Sequence, residues 1–359
     1  MIYKYCGLLL LVPSMIGTSY GQKKFITCNN KQISYEGRIN YKKDAAQLSW
    51  PGTSVTIWFK GTTISAILKD SDTANYYNVI VDDKDIYKIH TDTTKHSYIL
   101  AAGLPKGNHK LQLFKRTEWD KGKTWFYGFE IEGEDKLLKP PKLPKRKIEF
   151  FGNSITCGYA INDMADDSPT GFYENNYDAY AAITARHFNA QYVCTSKSGI
   201  GIMVSWFPLI MPEMYNRLDP TDSSSKWDFS KYTPDVVVIN LLQNDSWIVN
   251  QPNNEQFKNR FGTQAPDSNF IINAYKNFAQ TIRKTYPHAQ IICMLGSMDI
   301  TKEGSRWPGY VKKAVDGLND GNFFTYIAPY KNTPGHPKIK EQQMLADGLI
   351  HFIEEHIKW

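Results

Sequence analysis

Four short segments of this chain carry residue types suited to acyl transfer. In Gly152-Asn153-Ser154-Ile155-Thr156, a glycine lets the chain turn sharply off an apolar run and leaves Ser154 at its end. If a helix starts there, the N–H of Ser154 and those of its neighbours point outward and favour negative charge. The other reading is a helix cap, because Asn and Ser are both favoured at that position. Ser198-Gly199-Ile200-Gly201 follows a second run, and Gly199 can expose its N–H to a ligand or simply make a turn. In Asn240-Leu241-Leu242-Gln243-Asn244-Asp245, the Asn244 amide can donate to an oxyanion or equally satisfy a loop backbone. His336, in Gly335-His336-Pro337, is either a base or a surface or capping residue. Singly these signals are weak. Together they provide a nucleophile, two oxyanion donors and a base.

The elements that must position them are legible from periodicity. Ile148 to Phe151, Gln191 to Cys194, Val236 to Ile239, Ile291 to Leu295 and Phe323 to Ile327 are compact apolar runs, read as strands buried on both faces. Between them Ile271, Ala274, Tyr275, Phe278 and Ile282 make a helical stripe that Pro287 ends, and Leu345, Leu349, Phe352 and Ile353 mark a closing helix. Strands alternating with helices predict a parallel sheet flanked by helices, with chemistry beyond the carboxyl ends of the strands. The four segments all fall there, after a predicted strand or before the last helix.

The first half has a different period. Val55, Ile57 and Phe59 alternate with polar neighbours, as do Ile64, Ala66 and Leu68, then Tyr77, Val79 and Val81, then Leu111 and Leu113, then Trp125, Tyr127, Phe129 and Ile131. Short alternating runs separated by turn signals predict an N-terminal β-sandwich over residues 22–135. A Pro- and Lys-rich linker is expected over 136–146, and an α/β catalytic domain over 147–359.

Composition excludes several classes. The chain has 359 residues, is 42% hydrophobic and 22% charged, and carries a net charge of +6. Its densest basic cluster is broken by Pro140, Pro141 and Pro144, which argues against nucleic-acid binding. Lys4, the apolar stretch from Gly7 to Gly17 and Ser19-Tyr20-Gly21 read as a signal peptide cleaved after Gly21, and hence as export to a periplasm or beyond. The apolar stretch is too short to span a bilayer, so no membrane span is expected in the mature chain. Cys6 precedes that stretch and is no lipid anchor. Cys28, Cys157, Cys194 and Cys293 match no disulfide or zinc framework; for Cys194 and Cys293 buried free thiols are expected. No metal or cofactor is expected.

The residues Gly152-Asn153-Ser154-Ile155-Thr156, Gly199, Asn244 and His336 resemble the four blocks of the SGNH (GDSL-type) hydrolases. The sandwich ahead of them, ending near Lys115-Arg116-Thr117-Glu118, makes the arrangement similar to carbohydrate esterase family 2, bacterial acetylesterases acting on plant polysaccharides. The resemblance implies a jelly-roll-like sandwich followed by a flavodoxin-like hydrolase domain. It implies Ser154 as nucleophile and His336 as base, with the Ser154 N–H, the Gly199 N–H and the Asn244 side chain as oxyanion donors.

Three departures from the family pattern stand out. Asn153 replaces the Asp of the first block. Leu242 replaces the Gly of the third, removing backbone freedom. Thr333 stands three positions ahead of His336, where the triad Asp is usual. His336 must then be oriented by a backbone carbonyl, by Asn332 or by an acid from elsewhere; a Ser154–His336 dyad with a carbonyl partner is the expectation.

The implied activity is removal of O-acetyl groups from polysaccharide or oligosaccharide. Trp206, Trp247 and Trp307 lie near the predicted catalytic edge, and Trp247 is the candidate to stack on a sugar, with core packing as the alternative for each. Two other readings are a carbohydrate-binding protein with a degenerate site and an esterase or lipase for another acyl group.

Overall fold

The structure is a computed structural model and describes residues 23–133 and 136–359. The predicted signal peptide and its cleavage site lie outside the described residues.

Among the described residues, twelve strands form the N-terminal half: β1 (Lys24–Thr27), β2 (Ile33–Glu36), β3 (Ile39–Tyr41), β4 (Ala46–Leu48), β5 (Ser54–Lys60), β6 (Thr63–Asp70), β7 (Tyr76–Val81), β8 (Asp85–His90), β9 (His96–Ala101), β10 (Asn108–Lys115), β11 (Thr124–Glu132) and β12 (Lys136–Leu137). They make two six-stranded antiparallel sheets, β3-β4-β11-β6-β9 with β1 also on β11, and β12-β5-β10-β7-β8 with β2 also on β5. Val55, Ile57, Phe59, Ile64, Ala66, Leu68, Leu111 and Leu113 are fully buried in one shared core, as their alternation requires. β11 departs from the simple pattern. Phe126, Phe129 and Ile131 face the core while Trp125 and Tyr127 do not. The register against β6 slips between Phe126 and Gly128, so a bulge reverses the phase of the strand. Gly128 has φ +150°, and a Cβ there would meet the Ile26 carbonyl oxygen at 2.1 Å.

The stretch expected as linker begins inside the sandwich, because β12 pairs with Lys60 and Phe59 of β5. The second half then contains β13 (Lys147–Gly152), α1 (Ser154–Cys157), α2 (Tyr180–His187), β14 (Gln191–Ser196), α3 (Met211–Met214), β15 (Val236–Asn240), α4 (Gln243–Ile248), α5 (Glu255–Phe261), α6 (Ser268–Thr285), β16 (Gln290–Leu295), α7 (Trp307–Asp316), β17 (Phe323–Ile327) and α8 (Ile339–His356). All five strands are parallel, in the order β14-β13-β15-β16-β17. Phe150, Val238 and Ile292 pack on one face with residues of α2 and α8, and Phe151, Val237 and Ile291 on the other with α6 and α7. Burial on both faces is why these strands are apolar without alternation. The exception is β17, where only Phe323 is buried. It is an edge strand, paired among the described residues only with β16, so the expectation of two-sided burial fails there.

The opposite edge is covered by the sandwich. Tyr192 of β14 lies against Gly52, where a Cβ would sit 2.4 Å from its ring. Arg38 of the sandwich reaches Glu149 of β13 at 2.8 Å with both side chains buried, and the Trp50 indole donates to the Leu218 carbonyl. The registers align Gly152 with Ser196 and with Asn240, so the loops carrying Ser154, Gly199 and Asn244 leave the sheet at one edge.

Candidate active site

Ser154 is the first residue of α1, and the capping role falls on its neighbour. The Asn153 side-chain oxygen accepts from the Ile155 N–H at 3.1 Å. The Ser154 hydroxyl is thereby left for another partner, the His336 Nε2 at 2.9 Å. The structure thus joins two residues 182 positions apart in the chain.

His336 is not oriented by a carbonyl. Its Nδ1 lies 2.7 Å from Oδ2 of Asp167, and its backbone N–H donates to the same carboxylate at 2.8 Å. The dyad expectation is therefore corrected to a Ser154–His336–Asp167 chain. A carboxylate only accepts, so the Nδ1 must carry the proton and the Nε2 lone pair faces the serine. Gly335, at φ +66°, permits the approach: a Cβ there would meet Asp167 Oδ2 at 2.8 Å. Thr333 points elsewhere, accepting from Lys331 Nζ at 2.7 Å and contacting Glu341 at the start of α8. The Tyr159 ring lies over the imidazole, with centroids 4.7 Å apart.

Asp167 sits on the loop after α1. Asp163 ties that loop by accepting from the N–H groups of Ala165, Asp166 and Ser168. Lys338 stitches it to α8, donating to the carbonyls of Ala160 and Asp166 and to Asp167 Oδ1 at 2.7 Å. Partial burial pushes the Asp167 carboxyl up, but hydrogen bonds from His336 and Lys338 outweigh it and hold the group well below the usual carboxylate range. The sequence signal for Asp167 was the acid-rich loop Asp163-Met164-Ala165-Asp166-Asp167. Nothing in it distinguishes which acid meets a histidine 169 positions away.

Gly199 turns with φ +82° and its carbonyl accepts from the Trp206 N–H. The Asn244 Nδ2 donates one hydrogen to the Ile200 carbonyl at 2.8 Å, leaving its second N–H outside that bond, and its Oδ1 accepts from the Trp206 indole at 3.1 Å. Asp245 is fully buried and accepts from the N–H groups of Ile202, Met203 and Val204. Burial outweighs those donors and raises its carboxyl to about 6. Leu242 adopts φ +77°, the left-handed conformation that a glycine takes freely, and is completely buried. Such a backbone costs roughly 1–2 kcal/mol for a residue with a Cβ.

A cavity of about 750 Å³ adjoins Asn244 through Trp206 and is lined by Trp206, Trp247, Trp307, Tyr310 and Asp299. The three tryptophans flagged from sequence therefore share one trench. The Trp247 indole is fixed by the Asp299 carboxylate at 2.8 Å. All four cysteines among the described residues are buried free thiols, and no cluster of metal-ligating side chains occurs among them.

Comparison with known proteins identifies the family of the two halves. Residues 35–141 match the carbohydrate esterase 2 N-terminal family, and residues 150–355 match the GDSL-like lipase/acylhydrolase family. The structure of a family two carbohydrate esterase from Clostridium thermocellum in complex with cellohexaose superposes with a TM-score of 0.80 at 35% identity, covering 90% of this chain and 98% of that one. This chain belongs to carbohydrate esterase family 2. It is 35% identical over 346 residues to cellulase/esterase CelE of Acetivibrio thermocellus, covering 92% of this chain but only 40% of that protein's length. It is 29% identical to an acetylxylan esterase/glucomannan deacetylase of Cellvibrio japonicus, covering 89% of each. Among the described residues, no helix is long and apolar enough to cross a membrane.

Proposed function

We propose that this esterase removes O-acetyl groups from plant polysaccharides or oligosaccharides through an acetyl-enzyme on Ser154. The observation that carries the residue assignment is the unbroken chain from Asp167 through His336 to Ser154, with contacts of 2.7 and 2.9 Å. The Ser154 Oγ attacks the acetyl carbonyl carbon while His336 Nε2 takes its proton. The oxyanion is met by the N–H groups of Ser154 and Gly199 and by Asn244 Nδ2. Collapse breaks the bond to the sugar oxygen, which leaves as a hydroxyl carrying the proton from Nε2. Water then attacks the acetyl-enzyme, giving its proton to His336. Acetate leaves, and the proton returns to Ser154. Asp167 stays ionised throughout and stabilises the imidazolium.

The tryptophan trench beside Asn244 supports a sugar substrate, because flat indole faces cover pyranose rings. The relative named an acetylxylan esterase/glucomannan deacetylase supports acetyl as the group removed. Export follows from the N-terminal pattern of the sequence. The test is acetate release from acetylated xylan and mannan, and turnover of 4-nitrophenyl acetate, by wild type and Ser154→Ala. Loss of at least about 10⁴-fold in kcat is expected for the variant. Equal rates for the two proteins would overturn the assignment, and faster cleavage of octanoyl than acetyl esters would overturn the acyl specificity.

A further inference from the structure

Glu118 belongs to the loop after β10, on the sandwich side of the domain boundary, yet none of its side chain is exposed. Its Oε2 accepts from the Ser198 backbone N–H at 2.7 Å and from Lys197 Nζ at 3.1 Å. The Cys157 thiol of α1 donates weakly to the same oxygen at 3.8 Å. One sandwich carboxylate therefore touches both the helix that begins with Ser154 and the turn that leads into Gly199. Lys197 is held a second time by Asp120 at 2.8 Å, and its backbone N–H donates to the carbonyl of Gly152 at 3.3 Å.

Burying an ionised carboxylate is costly unless its partners compensate. Here one oxygen has three, but the other has none among the described residues. A second buried acid lies against the first: Glu174 accepts from the Glu118 backbone N–H at 3.0 Å. Burial and the neighbouring Glu118 charge raise the Glu174 carboxyl to about 8, while Lys197 and Ser198 hold Glu118 in its ionised form. Part of that charge answers the buried Lys197 ammonium, which Asp120 also holds. What the carboxylate supplies is a strong acceptor for a single backbone N–H, immediately ahead of the oxyanion turn.

We propose that Glu118 is a positioning residue for acyl transfer, the means by which the sandwich fixes the Lys197–Gly199 turn and with it the Gly199 N–H. This rests on the reading of Gly199 as an oxyanion donor. Asn244 clamps the same turn from the other side through the Ile200 carbonyl. The turn is thus held between a sandwich residue and a hydrolase-domain residue, so the sandwich is a working part of the esterase site. A donor displaced by a fraction of an ångström from the oxyanion loses much of its effect on the transition state while ground-state binding is little changed. The signature is a fall in kcat without a rise in KM.

The test compares Glu118→Gln, Glu118→Met and Glu118→Asp with wild type in 4-nitrophenyl acetate turnover, with folding followed by thermal unfolding. Gln and Met remove the same charge at similar size, but only Gln keeps an acceptor for the Ser198 N–H. Asp keeps the charge and withdraws the acceptor by one methylene. The Met and Asp variants should lose on the order of 10²-fold in kcat, with KM within about threefold of wild type, and Gln should stay within about tenfold of wild-type kcat. If Met does not fold, Asp decides. Wild-type kcat in a folded Met or Asp variant, or equal losses in Gln and Met, would overturn the proposal. Ser154→Ala in the same assay separates the two levels: activity surviving there defeats the esterase assignment itself, whereas a dead Ser154→Ala beside a fully active Glu118→Asp defeats only the role of Glu118.

Discussion

The two sides of Ser154 are built differently. On the oxyanion side, Lys197 to Val204 and Leu242 to Asp245 are mostly buried and are anchored by two carboxylates: Asp245 accepts from three backbone N–H groups, and Glu118 from the Ser198 N–H and the Lys197 ammonium. On the acid–base side, the Asp163–Ser168 loop and the segment from Asn332 to Lys338 are about half exposed, with Asp167 and His336 themselves partly buried, and a lysine joins them. The difference fits the work proposed for each side. Oxyanion donors act by being fixed in advance, so they sit where burial and backbone anchoring remove freedom. The histidine must gain and lose a proton in each half-reaction, and an ionised Asp167 meets it to stabilise the charged form. A buried site would stabilise only one of its protonation states.

The sharpest way to break this contrast is to remove the charge on the open side. Asp167→Asn keeps the shape but lets Nδ1 accept a hydrogen, which favours the wrong tautomer at Nε2; kcat should fall roughly 10³–10⁴-fold. A variant within tenfold of wild type in ester turnover would restore the dyad reading. The buried side should respond in stability. Asp245→Ala strands the N–H groups of Ile202, Met203 and Val204, and the midpoint in urea should correspond to a loss of about 3 kcal/mol or more. An unchanged midpoint would mean that this loop is not anchored by Asp245.

The smallest expected effect concerns Lys338 and pH. Because the Asp167 carboxyl is held below its unfolded value of 3.8, it contributes stability that is present above pH 3.8 and lost as pH falls below it. Lys338→Met removes one of the donors that hold it down, so the folded value rises and the contribution shrinks. The acid-unfolding midpoint followed by circular dichroism should move to higher pH, by on the order of a few tenths of a unit. A midpoint that stays put, or moves lower, would show that Lys338 does not stabilise the ionised acid.

How much of this was legible follows from the range of each interaction. Alternation and apolar runs report burial one strand at a time, so the sandwich, the parallel sheet and the stripes of α6 and α8 could be read directly. They could not report the bulge at Gly128, which reverses the phase of β11 through its register with β6. Nor did they show that β17 lies at an edge, because strand order is set by packing. Ser154, Gly199, Asn244 and His336 were visible because turn chemistry needs particular residues next to strand ends. The trench tryptophans were visible for their type, while their shared cavity was not.

By itself, then, the sequence determined which residues are available at one edge of one sheet. Local rules of turn, strand and helix act over a few residues, and those residues all obey them. Only the tertiary structure decided which acid meets His336 and which domain reaches the Lys197–Gly199 turn. Asp167 and Glu118 make contact across gaps of 169 and 80 residues, through hydrogen bonds whose partners no local pattern specifies. The close approach of chain to chain, at Gly335 against Asp167 and at Ser198 against Glu118, exists only after the sheet and the sandwich have packed.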